Sequence, residues 1–283
     1  MSDSVLYVIA TPIGNLDDLS PRALSILSRV DYIAAEDTRH TGRMLAHFNI
    51  KVPMISVHDH NEDARSTQIV QYLSEGKSIA LVSDAGTPLI SDPGYVLVKR
   101  VRDAGFQVSP VPGCCAFVAA LSVSGLPSDR FLFCGFLSSR PGMRRKQLEL
   151  HLAETATLIF YESTHRIVDS LAMMREVYGD DRQAVVAREL TKTFETIKGG
   201  TLAQLCDWVT ADANQQRGEF VVLLHGAIRS EVEHQELDAE AERIVRLLAA
   251  ELPPKQAAGL AAGITGLKKK QIYDWLVAQS ALR

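Results

Sequence analysis

The sequence predicts an α/β fold, built as two successive strand-and-helix units followed by a short helical appendage. Three observations carry that prediction. Strand-like and helix-like segments alternate through the first 115 residues. Several apolar runs stop abruptly at loops of glycine, proline and acidic residues, as buried parallel strands do where a sheet meets a ligand. A charged stretch at 230–240 then separates this region from three helical segments.

In the first unit, 6–10 reads as a strand ending at Thr11-Pro12-Ile13-Gly14. Ser20-Pro21 is an N-cap followed by a proline in the first turn. Ala23, Ile26, Leu27 and Val30 share one face of the helix it opens, which runs to about Arg29. A strand at 32–35 delivers Glu36-Asp37-Thr38-Arg39, and helix 40–48, strand 53–57, helix 62–75 and strand 78–82 follow. That last strand stops at Ser83-Asp84-Ala85-Gly86-Thr87-Pro88. There Gly86 and Gly94 permit backbone conformations closed to other residues, while Pro88 and Pro93 stiffen the loop. Helix 95–104 and strand 107–111 lead into Pro112-Gly113-Cys114-Cys115.

The second unit begins near Leu126, with strands at 131–136, 157–161, 184–187 and 219–225 and helices at 143–153, 164–177 and 201–211. Residues 230–240 read as a linker and 239–252 as an amphipathic helix. Pro253-Pro254 opens a short helix, Thr265-Gly266 turns, and 268–279 forms another helix, the outline of a helix-turn-helix or of a plain capping hairpin. The expected domain limits are 1–120, 121–229 and 230–283.

Composition narrows the function classes. Of 283 residues, 46% are hydrophobic and 23% charged, as in a soluble globular protein. The longest apolar runs, such as Phe220-Val221-Val222-Leu223-Leu224, are too short to cross a bilayer. The N-terminus lacks the basic start and apolar core of a secretion signal, so a cytoplasmic location without membrane contact is expected. Cys114 and Cys115 are adjacent, Cys134 and Cys206 isolated, and no Cys-x-x-Cys spacing marks a zinc site. His58-Asp59-His60 aims two imidazoles to one side of a strand but has no evident third ligand, so no metal is expected. The net charge of −4 makes the whole molecule a poor attractor of nucleic acid. The basic runs at 140–146 and Lys268-Lys269-Lys270 are local phosphate-binding patches or solvated surface.

Side-by-side strands collect their carboxyl-end loops in one crevice. The loops here offer amide donors, one or two acids and small side chains, a set suited to a flat, polar, mostly uncharged cofactor rather than a triphosphate. No Gly-x-Gly-x-x-Gly follows the first strand and no Gly-x-x-x-x-Gly-Lys-Ser/Thr occurs.

Eight segments in order, at 11–16, 35–41, 58–62, 83–94, 110–116, 125–131, 160–166 and 187–193, resemble the tetrapyrrole methylase (class III) superfamily of methyltransferases. Within it, the series is similar to the branch that methylates ribosomal RNA. The resemblance implies two α/β domains of tetrapyrrole methylase type with the cofactor cleft between them, S-adenosyl-L-methionine as cofactor, and a homodimer. It also implies the reaction, 2′-O-methylation of the ribose of the cytidine conventionally numbered 1402 in 16S ribosomal RNA, within the small ribosomal subunit. Carried over position by position, the cofactor contacts fall on Pro12, Ile13, Gly14, Asp84, Ala85, Gly86, Thr87, Cys114, Cys115, Tyr161, Ala187, Leu190 and Glu219.

A ribose hydroxyl is a poor nucleophile near neutral pH, so transfer benefits from a base or a positive charge near the developing oxyanion. Glu189 and Lys192 come first among the candidates and Glu36 next, ahead of Asp37, His58, His60, Glu162 and His165. Arg39 and Arg166, always protonated, suit phosphate or ribose anchoring, and Arg144, Arg145, Lys146, Lys268, Lys269 and Lys270 suit the RNA backbone. Two alternatives stand beside this reading: a small-molecule methyltransferase acting on a tetrapyrrole, and a non-catalytic ribosome assembly factor.

Overall fold

Five short apolar strands make the first sheet of the computed structural model, which describes residues 4–58, 60–228, 237 and 239–281. They are β1 (Val5–Ile9), β2 (Tyr32–Ala35), β3 (Met54–Ser56), β4 (Ile79–Val82) and β5 (Gln107–Val111), all parallel, in the order β3-β2-β4-β1-β5. Helices cover both faces, so alternate residues of each strand enter different cores. Ile9, Ile33, Ala35 and Ala80 pack with Ala23 and Leu27 of α1 (Pro21–Leu27) and Leu45 of α2 (Thr38–His47). Leu6, Ala34, Ile79 and Leu81 pack with Ile69 and Leu73 of α3 (Glu62–Ser74) and with Leu97 and Val101 of α4 (Tyr95–Asp103). The Ser20 hydroxyl accepts from the Ala23 amide and Pro21 occupies the first turn, as the sequence predicts.

The second sheet follows helix α5 (Ala116–Ser124) and has the order β6-β7-β10-β8-β9. Its strands are β6 (Phe131–Phe136), β7 (Thr157–Ser163), β8 (Gln183–Arg188), β9 (Thr196–Thr201) and β10 (Glu219–Leu224). Only β6 and β7 pair in parallel; β7–β10, β10–β8 and β8–β9 are antiparallel. On one face, Leu148 of α6 (Pro141–Glu149), Leu171 and Met174 of α7 (Ile167–Tyr178) and Leu205 of α8 (Leu202–Ala211) meet Leu158, Phe160, Val186 and Val222. On the other, Ala120 and Leu121 of α5 cover Ile159, Val185, Val221 and Leu223. Helix α5 and strand β9 are elements that the sequence pattern did not foretell.

Both sheets belong to one compact unit, Met1–His225, and Gly226–Arg283 form a second. In the second unit, α9 (Ala239–Glu251), α10 (Pro254–Thr265) and α11 (Lys269–Ala281) close around Val245, Ala257, Ala258, Ala261 and Ile272. The small face of α10 lets its neighbours approach closely. Gly266 ends α10 at φ 74, and the Arg246 guanidinium lies 5.6 Å from the Trp275 ring centroid. Of the linker expected at 230–240, only Leu237, Ala239 and Glu240 fall within the described residues.

Candidate active site

The two sheets turn one edge each toward a shared cavity of about 490 Å³, a volume typical of small-molecule sites. From the first sheet come Ile13 after β1, Glu36 after β2, Asp84, Ala85, Gly86 and Thr87 after β4, and Cys115 and Ala116 after β5. Those four strands are neighbours, so their carboxyl ends lie together. From the second sheet come Phe136 at the end of β6, Tyr161 through His165 at the end of β7, and Ala187 and Leu190 around the end of β8. Strand β10 runs antiparallel to β7 and β8, so its start, with Gly218, Glu219, Phe220 and Val221, joins the same edge.

Hydrogen bonds tie the first set of loops. Thr11 and Gly86 form an isolated antiparallel bridge, and the Thr11 hydroxyl donates to the Ser83 carbonyl at 3.2 Å. Gly86 has φ +83, and a Cβ there would lie 3.3 Å from Ile13 Cγ2, so the closeness of β1 and β4 loops requires glycine. Asp84 Oδ1 accepts from the Asp37 amide at 3.1 Å, joining the β2 loop, and Thr87 Oγ1 donates to the Cys114 carbonyl at 2.9 Å, joining the β5 loop. Leu89 and Ser91 also adopt positive φ, 73° and 66°, so the loop that carries Ile90, Ser91 and Asp92 into the cavity wall is strained. Burial, and then the charge of Asp84, push the Asp92 carboxyl above its ordinary value, against a hydrogen bond with Ser83.

The opposite wall is held by an ion pair between buried Glu162 and half-buried Arg166. Glu162 Oε1 lies 2.9 Å from the Arg166 guanidinium, and Glu162 Oε2 accepts from the Ser170 hydroxyl at 2.6 Å. Arg166 also donates to the Leu137 carbonyl at 2.7 Å and to Ser163 Oγ at 3.1 Å. The Tyr161 hydroxyl accepts from the Phe117 amide at 3.2 Å. Burial above all, with the nearby Cys115, holds this phenol well above its ordinary pKa, so it remains protonated.

Beside Glu219 stands a charged cluster. Lys192 Nζ lies 2.9 Å from Glu189 Oε1 and 2.8 Å from Glu219 Oε2. Burial alone would weaken the ammonium, but the hydrogen bonds to Glu219 and Glu189 outweigh it and raise the Lys192 pKa. Burial likewise opposes the Glu189 charge, yet the Lys192 hydrogen bond and the Glu219 amide hold that carboxyl below its ordinary value. Two glycines make room for the cluster: a Cβ on Gly14 would lie 2.5 Å from Lys192 Cγ, and one on Gly218 would lie 2.5 Å from Glu189.

Of the residues that the sequence singles out, Ile13, Glu36, Asp84, Ala85, Gly86, Thr87, Cys115, Tyr161, Glu162, His165, Ala187, Leu190 and Glu219 line this one cavity. Pro12 is buried and does not line it, and the Cys114 thiol contacts the Asp18 carbonyl. Gly14, Glu189 and Lys192 form the cluster beside Glu219. The sequence reading missed Ser91, Asp92, Phe136 and Gly218; the two prolines around 91–92 and the glycine before the β10 run were available signals, whereas Phe136 had none.

The basic candidates divide. Arg144 is a correction: it is buried on α6, its guanidinium spent on the Ser138 and Ser139 carbonyls, and it presents no charge to solvent. Arg145 pairs with Glu176, Arg39 with Asp37, and Arg166 with Glu162. Lys146, Lys268, Lys269 and Lys270 are exposed. His58 Nε2 is 3.0 Å from the Asn61 amide nitrogen, while Asp59 lies outside the described residues. No cluster of metal-ligating side chains occurs among the described residues, and none of their helices is long and apolar enough to cross a membrane.

Residues 5–206 match the family of Tetrapyrrole (Corrin/Porphyrin) Methylases, and residues 235–280 match the RsmI C-terminal HTH domain. The chain is 55% identical to the ribosomal RNA small subunit methyltransferase I of Pseudomonas aeruginosa, across 97% of each chain. It is 51% identical to the protein of that name from Escherichia coli O157:H7, across 98% of this chain and 96% of the other. The fold is similar to the crystal structure of uroporphyrin-III-C-methyltransferase from Thermus thermophilus, with a TM-score of 0.56 and 19% identity over 78% of this chain and 94% of that one. With the α/β unit matched to the methylase family and nearly its whole length matched to these relatives, the chain belongs to the tetrapyrrole methylases and, among them, to the ribosomal RNA small subunit methyltransferase I family.

Proposed function

We propose that this protein transfers a methyl group from S-adenosyl-L-methionine to the ribose 2′-hydroxyl of cytidine 1402 in 16S ribosomal RNA. The observation that carries the reading is the convergence of strand-end loops from both sheets on one cavity. Its make-up fits the donor. Ile13, Ile90 and Val221 give apolar wall, Gly86 exposes backbone, and Asp84 and Asp92 set negative charge against a cationic ligand. When bound, the donor supplies an electrophilic methyl group on a sulfonium.

The chain's own residues then have three tasks. Asp84 through Thr87, Ile13, Cys115, Tyr161, Ala187 and Leu190 hold the donor and exclude water. Lys192, protonated and oriented by Glu189 and Glu219, offsets the negative charge that grows on the attacking oxygen. Glu36, in the cavity wall, accepts the hydroxyl proton. Lys192, whose pKa is raised, keeps its proton and is not the base, and Glu189 Oε1 is taken up by the Lys192 ammonium and the Glu219 amide.

Arg39, Arg145, Lys146 and Lys268 through Lys270 contact RNA phosphates, and the match of 235–280 to a helix-turn-helix domain favours a nucleic acid over a tetrapyrrole acceptor. The working form is a cytoplasmic homodimer, for which exposed Val118, Val123 and Phe131 supply apolar surface. The test uses labelled donor and small subunits purified from cells lacking the protein. Label is expected in one cytidine ribose, and Lys192→Met lowers kcat about 10²–10³-fold with donor affinity unchanged. Donor binding with no transfer to any small-subunit preparation would overturn the reading.

A further inference from the structure

Phe136 stands at the end of β6 with 48% of its surface exposed, and it forms part of the cavity wall. An aromatic ring left open inside a cavity forgoes the burial that normally places it, so its orientation requires a cause. The strand supplies one. The β6–β7 register shifts between Phe133 and Gly135, with Gly135 at φ +66, so Phe136 pairs with Tyr161 rather than with the residue beyond it. Leu132 and Cys134 pack among the helices on one side of the sheet, and plain alternation would send Phe136 after them. The bulge moves it instead to the side of Phe133 and Tyr161, edge-on to the Tyr161 ring at 5.5 Å.

A second device holds the ring there. The Arg166 guanidinium lies 5.9 Å from its centroid, and that guanidinium is itself fixed by the Leu137 carbonyl, Ser163 Oγ and buried Glu162. A rigid ring, re-aimed by a bulge and backed by a fixed cation, has the form of the stacking surfaces on which proteins lay nucleobases.

We propose that Phe136 is a stacking face for a nucleobase, with Arg166 and Glu162 as the positioning residues that hold it. The proposal rests on the methyl-transfer reading, which brings two nucleosides to this cavity, the adenosine of the donor and the acceptor nucleotide. The full-length protein carrying Phe136→Leu keeps apolar volume but loses the π face, and Phe136→Trp keeps both. Calorimetry with S-adenosylmethionine and the KM for small subunits are measured on each. Phe136→Leu is expected to weaken one of these constants about tenfold, and Phe136→Trp to stay near wild type. Weaker donor binding assigns the stacked ring to the donor's adenine, and a raised KM assigns it to the acceptor base. The double variant Glu162→Gln/Arg166→Met, which strands no buried charge, shifts the same constant in the same direction and spares kcat. Phe136→Leu with both constants unchanged, or Phe136→Trp as impaired as Phe136→Leu, would overturn the proposal. Wild-type protein that binds no donor would instead defeat the functional reading beneath it.

Discussion

Thr11 and Gly86 exchange two backbone hydrogen bonds, of 2.8 and 3.0 Å, although 75 residues separate them. The exchange fastens the end of β1 to the end of β4 and sets Ile13 against Gly86 in the cavity wall. It depends on the positive φ of Gly86, which a side chain adopts only with strain. Gly86→Ala is therefore expected to cost about 1–3 kcal/mol of stability and to weaken donor binding. Thermal unfolding and calorimetry check both; a variant with wild-type values in each would contradict the expectation.

Glu162 and Arg166 make a case where breaking a pair costs more than removing it. The Glu162 side chain is 1% exposed, so Arg166→Ala leaves a carboxylate buried with only the Ser170 hydroxyl and the Ser163 amide as donors. A loss of about 3 kcal/mol is expected, most of it restored when Glu162→Gln is added. Denaturant unfolding of the single and double variants measures the difference.

Asp92 gives stability a pH dependence of known sign. Its folded pKa stands above the ordinary 3.8 because of burial and the Asp84 charge, so the folded protein holds this proton more tightly than the unfolded chain does. The contribution is fully present below the unfolded value and is lost as pH rises through the folded one. Asp92→Asn should accordingly be more stable than wild type at pH 7, with the advantage shrinking toward pH 4. An equal difference at both pH values would refute this.

Arg144 and Lys146 lie two residues apart on α6 and should respond oppositely to charge reversal. Arg144→Glu places an acid against the Ser138 and Ser139 carbonyls and is expected to cost about 3–5 kcal/mol. Lys146→Glu should change stability by less than about 0.5 kcal/mol and weaken RNA binding several-fold, more at low salt. Chemical unfolding and filter binding at two salt concentrations separate the two roles.

Much of this architecture was legible because local chemistry and tertiary structure agree. Ser20-Pro21 announces a helix start without help from packing, and Asp84-Ala85-Gly86 marks where a buried run must stop. Helix α5 was hidden because Ala116-Phe117-Val118-Ala119-Ala120-Leu121 has no polar face to reveal a period. Strand β9 was hidden because Gly199-Gly200 reads as a turn, and only the ladder with β8 makes it a strand. The burial of Arg144 had a faint signal, since Leu148 lies four residues on and shares its face. The aim of Phe136 had none, because a bulge exists only in the pairing of two strands.

Ile13 and Val221 line the same cavity, so its walls span almost the whole α/β unit in chain order. During synthesis the parallel sheet can assemble while β10 is still unmade, since chains fold from the N-terminus as they emerge. Every nascent fragment that stops short of β10 therefore lacks part of the site, and competence arrives as a late event in translation rather than growing with chain length.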